Sequence, residues 1–144
     1  MAGYMTKMAG YVFEGEFKNG CGAAVLPGIV VVIDAANPLS MKLPTADTAS
    51  KFFCKEVGTI YGDVPAGRFV VESLAAGVNY YFIEQTKIPD RCIEFDMTAQ
   101  PIEVGELLRA HPLAVGDEFW TSMTADATPV VGTYYGVDAN GNIA

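Results

Sequence analysis

Apolar and aromatic residues along the chain fall into short runs that glycine and proline interrupt over the whole length. Runs of this kind, rich in β-branched and aromatic residues, are typical of strands. The 15 Gly and 8 Pro are spread evenly, so no linker divides the chain. We predict an all-β or β-dominated fold: a small barrel or sandwich of short antiparallel strands with at most one or two short helices.

Four segments are predicted as strands. Residues 29–33 are apolar at every position, as in a strand covered on both faces, and this run is the expected centre of the core. Residues 92–97 alternate apolar with acidic side chains, the pattern of a strand with one wet face. A Val-Gly-Asp turn at 115–117 leads into a strand at 118–123, and residues 128–137 form a final strand.

Turn residues predict how some strands connect. Residues 11–18 form a strand that enters a hairpin at Asn19-Gly20, a pair that suits tight turns. Residues 68–74 and 79–85 are predicted to pair as a second hairpin. Residues 138–142 form a polar turn; their oxygen-bearing side chains resemble the opening of a calcium loop, but the required Glu does not follow.

The remaining segments have weaker patterns. Residues 34–44 contain two X-Pro pairs and are predicted to form a loop. Residues 45–57 fit a short helix or a strand, and the strand is favoured. Residues 104–110 are predicted to form one or two helical turns before His111-Pro112.

The first ten residues repeat Met-Ala-Gly-Tyr and have no helix or strand period, so we interpret residues 1–10 as an N-terminal arm and residues 11–144 as a single domain. Flexible apolar side chains gain contact area when they order against a partner. The arm therefore contributes candidate partner-binding residues, namely Met1, Tyr4, Met5, Met8 and Tyr11.

Charge restricts the classes of partner. Only 18% of residues are charged, 51% are hydrophobic and the formal net charge is −8. A folded protein is expected, and phosphate backbones or anionic membranes would be repelled. This charge argues against nucleic-acid and membrane partners. The N-terminus lacks the pattern of a signal peptide, which favours a cytoplasmic protein.

No motif in the chain predicts catalysis, a metal site or a cofactor. His111 is the only histidine and precedes a proline in a connection, where a structural or solvent-exposed role is expected. The three cysteines have no CxxC spacing and are interpreted as reduced core thiols: Cys21, Cys54 and Cys92. The acidic pairs are interpreted as surface residues: Glu14/Glu16, Glu94/Asp96 and Asp117/Glu118.

Paired tyrosines indicate either two covering layers or an exposed aromatic surface. Neighbours on a strand point to opposite faces, so each of the pairs Tyr80-Tyr81 and Tyr134-Tyr135 places one ring on each face of its sheet. We take Tyr80, Tyr134 and Trp120 as candidate partner-binding residues beside the arm.

The stretch from Pro65-Ala-Gly-Arg-Phe-Val-Val-Glu to Leu113-Ala-Val-Gly-Asp-Glu-Phe-Trp-Thr-Ser resembles the capsid decoration, or cement, proteins of tailed bacteriophages. The likeness lies in Gly-punctuated strands, the Val-Gly-Asp turn, low charge and an apolar arm, and it transfers no functional residues. It implies a protein made in the host cytoplasm that sits on the virion surface, often as a trimer. There it would bind the major capsid protein lattice and stabilise the shell.

Three hypotheses follow from these patterns. The first is a structural protein that binds a protein lattice through its arm and an exposed aromatic edge. The second is a carbohydrate- or receptor-binding β-module that uses Trp120 and the tyrosine pairs as a stacking platform. The third and least favoured, an enzyme that uses carboxylates alone, would require a deep pocket with two converging acids.

Overall fold

The computed structural model describes residues 4–7, 15–60, 64–84 and 101–144. These residues form strands and no helix, and so contain no helix able to cross a membrane. The strands are β1 (Tyr4–Lys7), β2 (Gly15–Asn19), β3 (Val30–Asp34), β4 (Asn37–Lys42), β5 (Asp47–Ile60), β6 (Val64–Ser73), β7 (Tyr81–Glu84), β8 (Leu107–Pro112), β9 (Glu118–Thr121) and β10 (Tyr134–Val137).

The strands divide into an open sheet and a closed barrel. The sheet has five antiparallel strands in the order β1-β9-β6-β5-β10. The barrel runs β2-β4-β3-β7-β8 and closes where β8 pairs with β2. All of its neighbours are antiparallel except β2 and β4, which run parallel. The predicted β-dominated fold with a small barrel is confirmed.

Strand β3 is buried on both faces, as its uninterrupted apolar sequence predicts. Val30 packs between the barrel and the sheet, whereas Val31 points into the barrel interior. Strand β7 repeats this arrangement with Phe82 and Ile83. Two cores therefore share the same pair of strands.

Aromatic rings fill the core between barrel and sheet. Phe119 on β9 is fully buried and lies 4.8 Å from Phe82 of the barrel, measured between ring centroids. Its ring also lies 6.1 Å from that of Phe52 and 6.0 Å from that of Phe69. Phe119 thus links the central strands of the sheet to the barrel.

Residues after β10 form a turn that packs on the barrel. The Asp138 carboxylate accepts hydrogen bonds from the Asn140 and Asn142 backbone N–H groups, which confirms the predicted polar turn. Gly141 has φ +79°, and a Cβ there would collide with the Val30 carbonyl oxygen. Ile143 behind the turn is fully buried, so this segment belongs to the core.

Five predictions about local structure are wrong, four of them within residues 11–144. The segment 34–44, predicted as a loop, contains β4. The segment 104–110, predicted as helical turns, contains the start of β8, because pairing with β2 and β7 overrides helix propensity. Strands β6 and β7 lie in the sheet and the barrel respectively, so they do not form a hairpin.

The fourth error concerns the turn at Asn19-Gly20, which does not make a hairpin. Strand β2 pairs with β4 and β8, and Asn19 is buried. Its side-chain amide donates hydrogen bonds to the carbonyl oxygens of Ala23 and Ile102.

Within the predicted arm, Tyr4–Lys7 form an edge strand on β9, so the expectation of no regular structure is wrong for these residues. The strand preference for 45–57 is confirmed by β5, and the predicted strand at 128–137 is limited to β10. The predicted strand at 92–97 lies outside the described residues.

We expect Phe119→Ala to lower the free energy of unfolding by about 3 to 5 kcal/mol, because it leaves a cavity among three aromatic rings. Urea unfolding followed by far-UV circular dichroism would measure this loss. Val131→Ala, at a 53% exposed position, serves as the control. Equal losses in the two variants would contradict the assigned role of Phe119.

Candidate functional site

The face of the five-stranded sheet that points away from the barrel carries the candidate site. In one row across this face, Tyr134 is opposite Phe53, Phe53 is opposite Val70, and Val70 is opposite Glu118. In the next row Arg68 is opposite Trp120. We call this the outer sheet face and define it by Phe53, Lys55, Glu56, Arg68, Val70, Glu72, Glu118, Trp120 and Tyr134.

Paired charges run through the middle of the outer sheet face. The Glu118 carboxylate lies 3.4 Å from the Lys55 ammonium and 3.4 Å from the Arg68 guanidinium. Arg68 also contacts the Glu56 carboxylate at 3.1 Å. Two cations and two carboxylates therefore compensate each other within the protein.

Aromatic side chains flank this line of charges. The Phe53 and Tyr134 ring centroids are 5.1 Å apart, and Tyr134 is 52% exposed. The charge of Glu72, with a hydrogen bond to it, raises the pKa of Tyr134 and keeps the phenol protonated. On the other side, Trp120 is half-buried, and its Cζ3 and Cη2 atoms lie 3.5 Å from the position that a Gly58 Cβ would occupy.

The structure brings some of the predicted partner-binding residues together. Trp120 and Tyr134 share the outer sheet face, and in the β1–β9 pairing Tyr4 is the register partner of Trp120 and Met5 that of Phe119. The other predicted arm residues lie outside the described residues: Met1, Met8 and Tyr11.

The prediction that Tyr80 lies on an exposed edge is wrong. Its side chain is only 2% exposed because it packs in the core between barrel and sheet, and Tyr81 packs against the barrel core. Tyr134 and Tyr135 follow the other expected arrangement, with one ring exposed and one buried. Both predicted arrangements therefore occur: two layers cover Tyr80-Tyr81, and Tyr134-Tyr135 has one exposed ring.

Residue patterns did not identify the charged part of the site. Lys55 and Arg68 were not predicted as site residues, although Phe53 and Lys55 alternate as a strand requires. That alternation could have placed Phe53 and Lys55 on one face. The ion pairs of Lys55 and Arg68 with Glu118 have no signal in the local sequence, because Glu118 lies 63 residues from Lys55.

The interpretation of Asp117 and Glu118 as plain surface acids is wrong. Asp117 is fully buried, and its carboxylate accepts a hydrogen bond of 2.8 Å from the Ala114 N–H, which holds the turn before β9. The Glu118 side chain is only 13% exposed. The other acidic pairs fall on residues whose side chains lie outside the described part of the chain: Glu14/Glu16 and Glu94/Asp96.

His111 lies on strand β8 and not in a connection, and it is 5% exposed. Its Nε2 atom is 2.9 Å from a Glu84 carboxylate oxygen, which the Arg109 Nε also contacts at 3.3 Å. Glu84 is the sole hydrogen-bond partner of the His111 side chain among the described residues. A nucleophilic dyad with serine or cysteine is therefore not formed in this part of the chain.

The cysteines in the described segments are free thiols. Cys54 is fully buried, as predicted, whereas Cys21 is half-buried against the barrel core. Burial raises the pKa of both thiols, which disfavours the reactive thiolate. Cys92 lies outside the described residues, and the described ones contain no cluster of three or more metal-ligating side chains.

A groove of about 510 Å³ opens at the start of β5, next to Asp47. The Asp47 carboxylate accepts hydrogen bonds from the Tyr80 hydroxyl at 2.8 Å and the Ser50 hydroxyl at 2.5 Å. The backbone N–H groups of Ala49 and Ser50 donate to its other oxygen. Burial alone would raise the pKa of Asp47, but these four hydrogen bonds outweigh it and lower the pKa.

Comparison with known proteins gives no relative for this chain: no family model, no curated protein and no solved structure matches it. The geometry of the outer sheet face and of the groove is therefore the basis for a functional assignment.

We expect Tyr80→Phe to lower the free energy of unfolding by about 1 kcal/mol at pH 7, because it removes the hydrogen bond to Asp47. Burial, together with the hydrogen bond and charge of Asp47, raises the pKa of Tyr80 in the folded protein. A raised folded pKa contributes stability that is complete below the unfolded value of about 10 and is lost as pH rises through the folded value.

The variant should accordingly lose less stability than the parent protein between pH 9 and pH 11. Urea unfolding at several pH values would compare the two slopes. Identical slopes would contradict the coupling between the phenol and Asp47.

Proposed function

We propose that this chain is a structural binding protein, not an enzyme, that attaches to a protein assembly through its outer sheet face. The observation that carries the proposal is the position of Tyr134 and Trp120 on either side of a self-compensated line of charges. Tyrosine, tryptophan and arginine are the side chains that dominate binding energy at protein interfaces.

The pairing of charges within the face supports burial against a partner. An unpaired charge that loses its water on binding costs several kcal/mol. On the outer sheet face, Glu118 already contacts two cations, and Arg68 contacts two carboxylates. A partner can therefore cover the line of Lys55, Glu56, Arg68 and Glu118 without supplying countercharges, which favours a protein surface of mixed polarity as the occupant.

The resemblance to phage decoration proteins supports a more specific proposal for the partner. We take the outside of a phage capsid, formed by the major capsid protein, as the expected lattice, with the chain bound as a trimer on the virion surface. The β-rich fold agrees with this class of protein but is common to many others.

We expect Trp120→Ala and Tyr134→Ala each to weaken attachment by about 30-fold or more, the loss typical of a central aromatic contact. Co-sedimentation with shells assembled from the major capsid protein of the same genome would measure the affinity. Leu39→Ala is the control, since Leu39 is a 67% exposed apolar residue on the barrel.

Unchanged binding by both aromatic variants would reject the outer sheet face as the attachment surface. Absence of binding by the parent chain would reject the capsid as the partner. Sedimentation equilibrium of the free and bound chain would test the trimer separately.

The position of Trp120 favours carbohydrate binding as the second candidate function. The indole lies against β5 at Gly58, where a Cβ would be in ordinary van der Waals contact with it, and this packing supports the ring as a stacking platform. Glycan-array binding that Trp120→Ala abolishes, with the fold retained, would favour this function over the first. A silent array would reject it.

A further inference from the structure

The groove beside Asp47 has the size and lining of a binding site for a small group. Its volume of about 510 Å³ falls within the range of ligand sites. Apolar side chains form most of its walls, including Val32, Ile33, Pro44 and Val78, and Asp47 is the only carboxylate among the described residues that line it. An apolar wall with one charged group favours a ligand that has an aliphatic stem and a charged end.

The charge of Asp47 is not neutralised by any described residue. Its four hydrogen-bond donors are two hydroxyl groups and two backbone N–H groups, all of them neutral. No lysine or arginine of the described segments forms an ion pair with it. The groove therefore offers a fixed, ionised carboxylate to a cation from outside.

The hydrogen-bond pattern disfavours a guanidinium, and the apolar walls of the groove favour an ammonium on an aliphatic stem. Arginine recognises a carboxylate through two parallel hydrogen bonds and needs acceptor sites on both oxygens. In Asp47 each oxygen already accepts two hydrogen bonds, so the remaining attraction is mainly between charges. A lysine ammonium is a compact charge on a four-carbon stem and suits this arrangement.

We propose that the groove beside Asp47 binds a lysine side chain presented by a partner protein. The net charge of −8 favours approach of a basic segment. The site is formed by different residues from the outer sheet face, and it rests on the proposed function only in taking a protein as the source of the lysine.

The test is an NMR titration of the isotope-labelled chain with Nα-acetyl-lysine methylamide. We expect amide shifts confined to the groove, including those of Val78 and Asn79, with a dissociation constant in the millimolar range. The same compound acetylated on Nε, which is uncharged, should cause no such shifts. Equal shifts from both compounds would overturn the proposal.

Asp47→Asn should weaken binding of the charged compound about tenfold, because it removes the charge at nearly unchanged shape. Asp126→Asn is the matched control, since it removes one charge at an exposed position outside the groove lining. Ala46→Trp blocks the groove at an exposed lining residue and leaves Asp47 in place, so it decides the question if Asp47→Asn fails to fold. Undiminished binding by Asp47→Asn, or by Ala46→Trp, would overturn the proposal.

Titration with 1,5-diaminopentane distinguishes a free polyamine from a protein lysine. Tighter binding of the diamine than of the lysine compound would assign the groove to polyamines and overturn the lysine proposal. The titrations use the free chain, so their failure leaves the shell-binding result for Trp120→Ala unaffected. Conversely, loss of shell binding by the aromatic variants does not depend on Asp47.

Discussion

Burial of β3 and β7 on both faces is the constraint that joins the barrel to the sheet. Val31 and Ile83 fill the barrel, while Val30 and Phe82 pack against the rings of the sheet. Because neighbouring side chains on one strand serve two cores, neither layer can shift without disturbing the other. The position of Phe119, and with it the orientation of β9, follows from this shared pair of strands.

The outer sheet face depends on the same packing. Strand β9 buries Phe119 and so directs Glu118 and Trp120 outward, where they meet Arg68 on β6. The side chains that make the surface are therefore fixed by those that make the core. A partner would meet a preorganised surface and lose less conformational entropy on binding than with a mobile loop.

Much of the fold could be predicted from local sequence pattern, and the failures share one physical cause. The apolar run at 29–33 and the Val-Gly-Asp turn before β9 depend on near neighbours, and both predictions were correct. The false hairpin of β6 and β7 and the false helix at 104–110 depend on partners distant in sequence. Local propensity cannot identify such partners.

The candidate site also contains some features that local sequence pattern predicts and others that depend on distant partners. Alternation predicted that Tyr134 and Tyr135 point to opposite faces, and the structure exposes Tyr134 and buries Tyr135. Trp120 was identified as a candidate for its chemistry. The ion pairs of Glu118 and the hydrogen bonds of Asp47 join residues from separate strands, so no spacing rule predicts them. Tyr80 was misplaced because its hydroxyl finds its acceptor 33 positions away and the ring can then be buried.

The pairing of β1 with β9 constrains how the chain reaches its folded state. Tyr4 is aligned with Trp120, so β1 cannot take its place in the sheet until synthesis has passed β9. Barrel closure by β2 and β8 imposes a similar delay. Pairings between such distant segments require costly loop closure and slow folding. During synthesis the emerging chain would accordingly hold unpaired strands, and completion of both layers is a late event in folding.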